Sequence, residues 1–199
     1  MTSVIVTIAS FKGGVGKTTT AIHVAAVLQG QGPTLLVDGD LNRSALQWAE
    51  AGRLPFTVAD ELKAPKLIAA GTFTHIVIDT AARPTPEELA SLAEGCDRLI
   101  IPTSPEALSL GATLQMVDHL RSLKASYRIL LTLIPPPPNT AGAEARAALE
   151  SVGFPLFTSS IRRFNAFARA SLEGCLVHQV KDRYSGIAWR CYQEAGREL

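Results

Sequence analysis

Short apolar runs, each bounded by turn-forming residues, recur along the chain. They are rich in β-branched residues and apolar at successive positions, a pattern typical of parallel strands covered on both faces. Alanine-rich stretches with helical spacing separate them. The predicted strands are Val4–Ala9, Thr34–Asp38, His75–Asp79, Arg98–Thr103 and Arg128–Ile134, and the predicted helices are Lys17–Gln29, Ser44–Glu50, Pro86–Ala93, Leu108–Leu123 and Ala141–Ser151. The alternation of strand and helix predicts an α/β fold with a mainly parallel sheet.

The last quarter of the chain has a mainly helical pattern. We predict one helix over Ser159–Leu172, with Ile161 and Phe164 on its apolar face, and expect Trp189 and Tyr192 in the core. This region is too short for a second domain. Residues 1–199 are therefore predicted to form a single domain that includes the C-terminal region 159–199.

The composition agrees with a single folded domain, and the charge distribution adds one feature, a C-terminal region that is more basic than the rest. The 199 residues are 47% hydrophobic, enough for one core, and carry a net charge of +1. Residues 151–199 hold seven basic and four acidic side chains, so positive charge is concentrated at the C-terminal end. The three cysteines form no closely spaced pair, which favours a reducing compartment. Because the N-terminus also lacks a basic leader, we expect a cytoplasmic protein.

A glycine-rich loop follows the first predicted strand and leads into the first predicted helix. Its glycines permit the backbone conformations that point successive N–H groups at phosphate oxygens, and the helix N-terminus favours an anion. Lys17 would neutralise the β- and γ-phosphates of a nucleotide, and the Thr18 hydroxyl would ligate Mg²⁺. The predicted nucleotide-binding residues are Lys12, Gly13, Gly14, Val15, Gly16, Lys17, Thr18 and Thr19, with ATP and Mg²⁺ as the cofactors.

The segment from Phe11 to Thr18 resembles the deviant Walker A box of the ParA/MinD family of ATPases, whose mark is a second lysine at the position of Lys12. Phe11 stands where the generic phosphate-loop pattern has glycine. The resemblance implies a three-layer P-loop NTPase fold and a homodimer when ATP is bound. In that dimer Lys12 would reach the partner's phosphates and act in catalysis together with Lys17.

Aspartates close two of the predicted strands, where a phosphate loop needs carboxylates. Asp38 and Asp40 follow the second predicted strand, and Asp79 ends the third. We predict that Asp79 supports the magnesium from its outer shell, that Asp38 lies near the metal and that Asp40 orients the hydrolytic water. The family's switch loop has Pro and Gln where this chain has Leu41 and Asn42, a departure that keeps both carboxylates.

Two further sets of residues have looser interpretations. Pro135 and Pro136 fall where the family's adenine contacts tend to lie, although plain loop rigidity accounts for them equally well. His23 and His75 have no nucleophile motif beside them, so a structural or surface role is expected.

Basic side chains near the C-terminus form a candidate DNA surface. They are Arg162, Arg163, Arg169, Lys181 and Arg183. A solvated helix face explains such residues without any ligand. The family resemblance favours contact with DNA phosphates irrespective of sequence, because a dimer presents the weak patch twice.

The resemblance therefore implies a ParA-type ATPase that positions a cargo on the nucleoid. Hydrolysis would be stimulated by an adaptor protein, ParB-like or McdB-like, and the cargo would be a carboxysome or a plasmid. One alternative is a membrane-associated ATPase of the MinD type, which needs a basic amphipathic helix that the C-terminus lacks, so no membrane partner is expected. A second alternative is a biosynthetic ligase or a metal-cluster reductase on the same fold.

Overall fold

The centre of the molecule is a six-stranded, wholly parallel β-sheet with the strand order β3-β2-β4-β1-β5-β6. A computed structural model describes residues 4–123 and 125–199; the first three residues of the predicted domain lie outside this description. The strands are β1 (Val4–Ser10), β2 (Thr34–Gly39), β3 (Thr57–Asp60), β4 (His75–Ala82), β5 (Arg98–Thr103) and β6 (Tyr127–Leu131). The parallel α/β prediction is confirmed, and parallel pairing brings the carboxyl ends of all strands to one edge.

Helices cover both faces of the sheet. They are α1 (Lys17–Gln29), α2 (Ser44–Ala49), α3 (Ala64–Ala69), α4 (Pro86–Glu94), α5 (Ala107–Ser122), α6 (Ala141–Ser151), α7 (Asn165–Glu173) and α8 (Ser185–Gly196), with a 3₁₀ turn at Val177–Gln179. Within residues 4–123 and 125–199, no helix is both long and apolar enough to cross a membrane.

Successive side chains along a strand pack against the helices on opposite faces of the sheet. In β1, Val6 and Ile8 pack under α1, α2, α7 and α8, whereas Ala9 packs under α4, α5 and α6. The strands are therefore apolar at consecutive positions because side chains alternate between two buried faces.

Two short elements and the C-terminal ends of two strands differ from the sequence prediction. Strand β4 continues three residues past the predicted end at Asp79, to Ala82. The edge strand β3 and helix α3 were not predicted, because four and six residues are too few to show a period. Strand β6 ends at Leu131 and not at Ile134. Leu133 lies in the left-handed region with φ 54°, so the chain leaves the strand direction there.

The prediction of one helix over Ser159–Leu172 is wrong in its first half. Helix α7 begins at Asn165 and ends at Glu173. The residues before it run beside β6 and its extension: the Ile161 N–H donates to the Leu131 carbonyl, and the Arg163 N–H donates to the Ile134 carbonyl. These long-range backbone bonds override a local helical pattern, so Arg162 and Arg169 do not share one helix face.

An aromatic cluster joins α1 to the C-terminal helices around the buried His23. Its ring stacks on Tyr192 at 4.9 Å and meets the edges of Trp48 and Phe167. His23 Nδ1 donates to the Thr19 carbonyl at 2.7 Å, and Nε2 accepts the Val177 N–H at 3.2 Å. Tyr192 is buried as expected, whereas Trp189 is only half-buried. The histidine thus has structural contacts on every side.

Because of His23, the free energy of unfolding is expected to decrease as the pH is lowered. Burial lowers the pKa of His23 to about 4. The unfolded chain binds a proton at His23 below about pH 6.5 and the folded chain does not, so folding loses up to about 3 kcal/mol between pH 7 and pH 4. Urea unfolding of the wild-type chain and His23→Gln should show a stability difference that narrows as the pH falls. His119→Gln, at an exposed histidine, is the control and should keep the wild-type pH profile; a constant difference for His23→Gln would contradict the prediction.

Candidate nucleotide-binding site

The glycine-rich loop leaves the end of β1 and enters α1 with an open concave side. Gly14 and Gly16 have φ of 78° and 82°, values that favour glycine. At Gly13, Gly14 and Gly16, no atom of the described residues other than the chain neighbours lies within 4 Å of the place where a Cβ would stand. The first turn of α1 contains no acidic residue, so the positive end of the helix dipole is free for an anion. The loop is shaped to hold phosphate groups.

Side chains from distant strands hold the loop in this shape. The buried Thr132 hydroxyl, just after β6, donates to the Val15 carbonyl at 2.7 Å. The Ser10 hydroxyl donates to the Lys12 carbonyl at 3.0 Å, and Arg83 Nε donates to the Phe11 carbonyl at 3.2 Å. The loop is therefore preorganised by β1, β4 and β6 together.

Lys17 is the first residue of α1, and its ammonium group contacts carboxylates near the C-terminal ends of β2 and β4. Its Nζ lies 3.2 Å from Asp79 Oδ1 and 3.3 Å from Asp40 Oδ2, and it also donates to the Thr80 carbonyl. The ammonium is almost wholly buried, and these oxygens compensate its desolvation.

Asp79 is the carboxylate that fits a magnesium ion best. It is wholly buried, and its Oδ2 has no hydrogen-bond partner among residues 4–123 and 125–199. Burial raises the pKa of Asp79 above its usual range, while the nearby Lys17 ammonium lowers it. The Thr18 side chain also lowers the pKa of Asp79. A buried carboxylate oxygen of this kind, with a hydroxyl close to the same carboxylate, is the oxygen environment that Mg²⁺ or its water ligands prefer.

Asp38 uses both carboxylate oxygens to fix the loop that follows it. Oδ1 accepts the Asp40 N–H at 3.1 Å, and Oδ2 accepts the Leu46 N–H in the first turn of α2 at 2.9 Å. Parallel pairing places Asp38 beside Asp79 in the sheet. The structure thus brings Asp38 near the acidic end of β4, in contact with the backbone of the switch loop (residues 38–43).

Asp40 stands at the tip of that loop with one oxygen facing Lys17. Its Oδ1 accepts from the Asn42 N–H at 2.9 Å and from the Asn42 amide at 3.0 Å. Burial by itself would raise the pKa of Asp40, but the Asn42 N–H and the Lys17 ammonium outweigh it and hold the pKa below its usual range. Asp40 is therefore an ionised hydrogen-bond acceptor.

A cleft of about 600 Å³ opens above the loop, and we call it the nucleotide cleft. The glycine loop and Asp40 line one side, and Leu133, Arg162, Arg163 and Phe164 line the other. Its size is within the range of small-molecule sites. Pro135 and Pro136 are not among its lining residues, because the chain turns at Leu133.

Lys12 lies on the rim of the nucleotide cleft and is half-buried. In the described ranges 4–123 and 125–199, no carboxylate lies within ion-pair distance of its ammonium. Lys12 also borders a neighbouring groove with Phe11, Arg83 and Leu108. The two loop lysines therefore differ: Lys17 points inward to carboxylates, and Lys12 sits at the surface.

The five basic residues predicted to contact DNA fall into two groups. All four of Arg162, Arg163, Lys181 and Arg183 are exposed, but the first two line the nucleotide cleft and the last two lie on the loop before α8. Arg169 of α7 donates to the Lys181 carbonyl at 3.1 Å. The pattern of basic residues gave no sign of this division, because the first two lie on an extended segment and not on a helix.

Other residues at the cleft were missed by sequence reasoning. They are Thr132, Leu133, Phe164, Phe167 and Tyr192. The Tyr192 and Thr20 hydroxyls lie 3.1 Å apart, although 172 positions separate them in the chain. No local motif signals such residues, since each looks like an ordinary core or turn residue.

A parallel sheet in this order, with a glycine loop between β1 and α1 and aspartates near the C-terminal ends of β2 and β4, defines a P-loop nucleotide-binding protein. Residues 6–177 match the CbiA family, described as the CobQ/CobB/MinD/ParA nucleotide binding domain. The chain belongs to this family, and it is an ATPase.

Three similar proteins show which members of the family this chain resembles. The chain is 36% identical over 203 residues to maintenance of carboxysome distribution protein A of Gloeobacter kilaueensis, covering 98% of this chain and 93% of that protein. It is 26% identical to protein ParA of Rhizobium radiobacter, covering 92% and 89%. The fold is similar to that of apo McdA from Cyanothece, with a TM-score of 0.76 and 18% identity over 97% of this chain and 99% of that one.

Proposed function

We propose that this ATPase binds ATP with Mg²⁺ as a dimer of two copies, and that the dimer binds DNA irrespective of sequence. An adaptor protein, ParB-like or McdB-like, would stimulate hydrolysis and so release the DNA. The observation that carries the proposal is the preorganised phosphate loop with its second lysine, Lys12, on the rim of the nucleotide cleft. The result would be a nucleoid-associated, cytoplasmic protein that positions a cargo.

In the nucleotide cleft, Lys17 would leave Asp40 and Asp79 for the β- and γ-phosphates. That movement would leave Asp79 and the Thr18 hydroxyl to hold Mg²⁺ and its water ligands. Bound Mg²⁺ would neutralise charge on the phosphates. Asp38 would keep the switch loop next to the metal through its two backbone hydrogen bonds.

Two groups remain for the chemistry. Asp40 Oδ2, freed from Lys17, would accept a hydrogen bond from the attacking water, while Asn42 holds the other oxygen of the same carboxylate. Lys12 would reach the phosphates bound by the second copy, since its ammonium lies on the rim and has no carboxylate partner among the described residues. ATP binding and dimer formation would then be one event.

Arg162 and Arg163 line the nucleotide cleft, which supports a contact with the nucleotide in preference to DNA. Lys181 and Arg183 are exposed and do not line the cleft, so they are the better candidates for DNA phosphates. We infer no role for Pro135 and Pro136 beyond shaping the loop after β6.

The names of two relatives support a proposal for the cargo. Identity of 36% over 98% of the chain with a carboxysome distribution protein favours carboxysome positioning. The lower identity of 26% with protein ParA makes plasmid partition the second candidate.

An electrophoretic shift assay on arbitrary duplex DNA tests the proposal. We expect retention with Mg²⁺ and a slowly hydrolysed ATP analogue, weak or no retention with ADP, and steep loss as salt increases. Lys17→Gln, which should not bind nucleotide, is the control. Analogue-dependent binding to anionic lipid vesicles with no DNA retention would instead support the membrane-associated alternative.

A further inference from the structure

Two arginines and two aromatic rings form a continuous stack from the nucleotide cleft to the loop before α8. The Arg162 guanidinium lies 5.3 Å from the centroid of the Phe164 ring. The rings of Phe164 and Tyr184 stack at 5.7 Å with an angle of 28°. The Arg183 guanidinium lies 4.6 Å from the centroid of the Tyr184 ring. All of these distances are within the range of cation–π and aromatic stacking contacts.

At the cleft end, the part of Arg162 that can respond to a ligand is its side chain. Its backbone is fixed, because the flanking Ile161 and Arg163 N–H groups bond to the Leu131 and Ile134 carbonyls. In the part of the chain that the structure describes, its guanidinium has no ion-pair partner. Its contact is the Phe164 ring, so a polyphosphate in the cleft would attract it away from that ring.

At the other end, the stack holds a basic loop, residues 181–183. The loop carries Lys181 and Arg183, both exposed. It is held to α7 by Arg169, which donates to the Lys181 carbonyl at 3.1 Å, and to the cleft wall by the Tyr184 ring on Phe164. Asp182 Oδ1 accepts the Tyr184 N–H at 2.8 Å and fixes the turn. The orientation of the loop therefore depends on Arg169, which also lies 3.9 Å from the Asp182 carboxylate, and on where the Phe164 and Tyr184 rings lie.

We propose that this stack links the nucleotide cleft to the basic loop, so that the occupant of the cleft sets how Lys181 and Arg183 are presented to a DNA backbone. The inference rests on the proposed function and adds a physical connection between nucleotide binding and DNA binding. Phe164 lines the cleft, and Tyr184 follows the basic loop directly. A movement of the Arg162 side chain can therefore be transmitted to the basic loop through these two stacked rings. Tyr184 is then a positioning residue, and Lys181 and Arg183 are the DNA contacts.

Substitution of Tyr184 tests the link. The full-length chain is compared as wild type, Tyr184→Ala and Tyr184→Phe, and the measured quantity is the ratio of DNA affinities with the ATP analogue and with ADP. We expect Tyr184→Ala to bring this ratio to within about twofold of one, and Tyr184→Phe to keep the wild-type ratio, because a phenyl ring preserves the stack. ATP affinity without DNA should stay within about twofold of wild type, since Tyr184 does not line the cleft. A wild-type ratio in Tyr184→Ala overturns the proposal.

A second measurement separates this inference from the DNA-binding proposal. Trypsin cleavage after Arg183 is followed with and without the ATP analogue. The link requires a nucleotide-dependent cleavage rate in the wild type and in Tyr184→Phe, and a nucleotide-independent rate in Tyr184→Ala. If wild type retains no DNA in any nucleotide state, the proposed DNA binding fails while this result still decides the link. A wild-type cleavage rate that ignores nucleotide overturns the link. Because Tyr184 is 41% exposed, the alanine variant should fold, and its thermal unfolding checks this.

Discussion

Replacing Lys17 by glutamine is expected to abolish nucleotide binding, with the Kd for ATP rising by about a hundredfold or more. Charge-assisted hydrogen bonds contribute roughly 1.5–3 kcal/mol each, and about 1.4 kcal/mol corresponds to a factor of ten. Lys17 is also buried against Asp79 and Asp40 at 3.2 and 3.3 Å. Alanine would leave the buried Asp79 without a partner, so glutamine is the better variant for keeping the fold. Isothermal titration with ATP and Mg²⁺ measures the loss.

Lys12→Gln is the matched control, because it makes the same change in the same loop. Lys12 lies on the rim and contacts none of the acidic groups around Lys17, so one chain should still bind ATP within several-fold of wild type. The dimer should form poorly, which sedimentation with the ATP analogue would reveal. Retained ATP affinity in Lys17→Gln, in a chain that unfolds at the wild-type temperature, would remove the central claim about the phosphate loop.

Replacing Asp40 by alanine is expected to leave ATP binding intact and to slow hydrolysis by about a hundredfold or more, the usual range for removing a group that orients or deprotonates a nucleophile. The pKa of Asp40 lies below its usual range, so the carboxylate is ionised and can accept a hydrogen bond from water. ATP-bound dimers should accumulate, because the step that separates them is blocked. Phosphate release and dimer lifetime are the two measurements.

Asp60→Ala provides the comparison for Asp40. Asp60 ends the neighbouring strand β3, pairs with Asp38 in the sheet register and forms an ion pair with Lys63 on the surface. It lies outside the nucleotide cleft, so hydrolysis should stay near the wild-type rate. Hydrolysis at the wild-type rate in Asp40→Ala would show that another group positions the water.

Several aromatic and hydroxyl groups around the site could be recognised only from the tertiary structure. Thr132 holds Val15 across 117 positions, and Trp48 Nε1 donates to the Cys175 carbonyl across 127 positions. Sequence reasoning works through periods and spacings of a few residues, and such pairs have no fixed spacing. They become visible only when strands and helices are packed.

The C-terminal segment shows where a local pattern fails. Apolar residues at helical spacing suggested that Arg162 lies on a helix, but residues before Asn165 pair with the chain after β6. Helical propensity over such a short stretch contributes little, and backbone bonds to an existing sheet edge outweigh it. Arg162 and Arg163 therefore lie on an extended segment that lines the nucleotide cleft, and their predicted contact with DNA stays a prediction.

The sequence by itself determined the parallel α/β fold, the phosphate loop and the aspartates near the C-terminal ends of β2 and β4. These features are local: a strand, a turn and a helix start lie next to one another in the chain, and consecutive apolar residues report a strand buried on both faces. Only the tertiary structure decided which groups Lys17 contacts, how Asp38 holds the switch loop, and that Arg162 and Arg183 end one aromatic stack. Those contacts join residues far apart in sequence, and their geometry depends on how the two helical layers pack on the sheet.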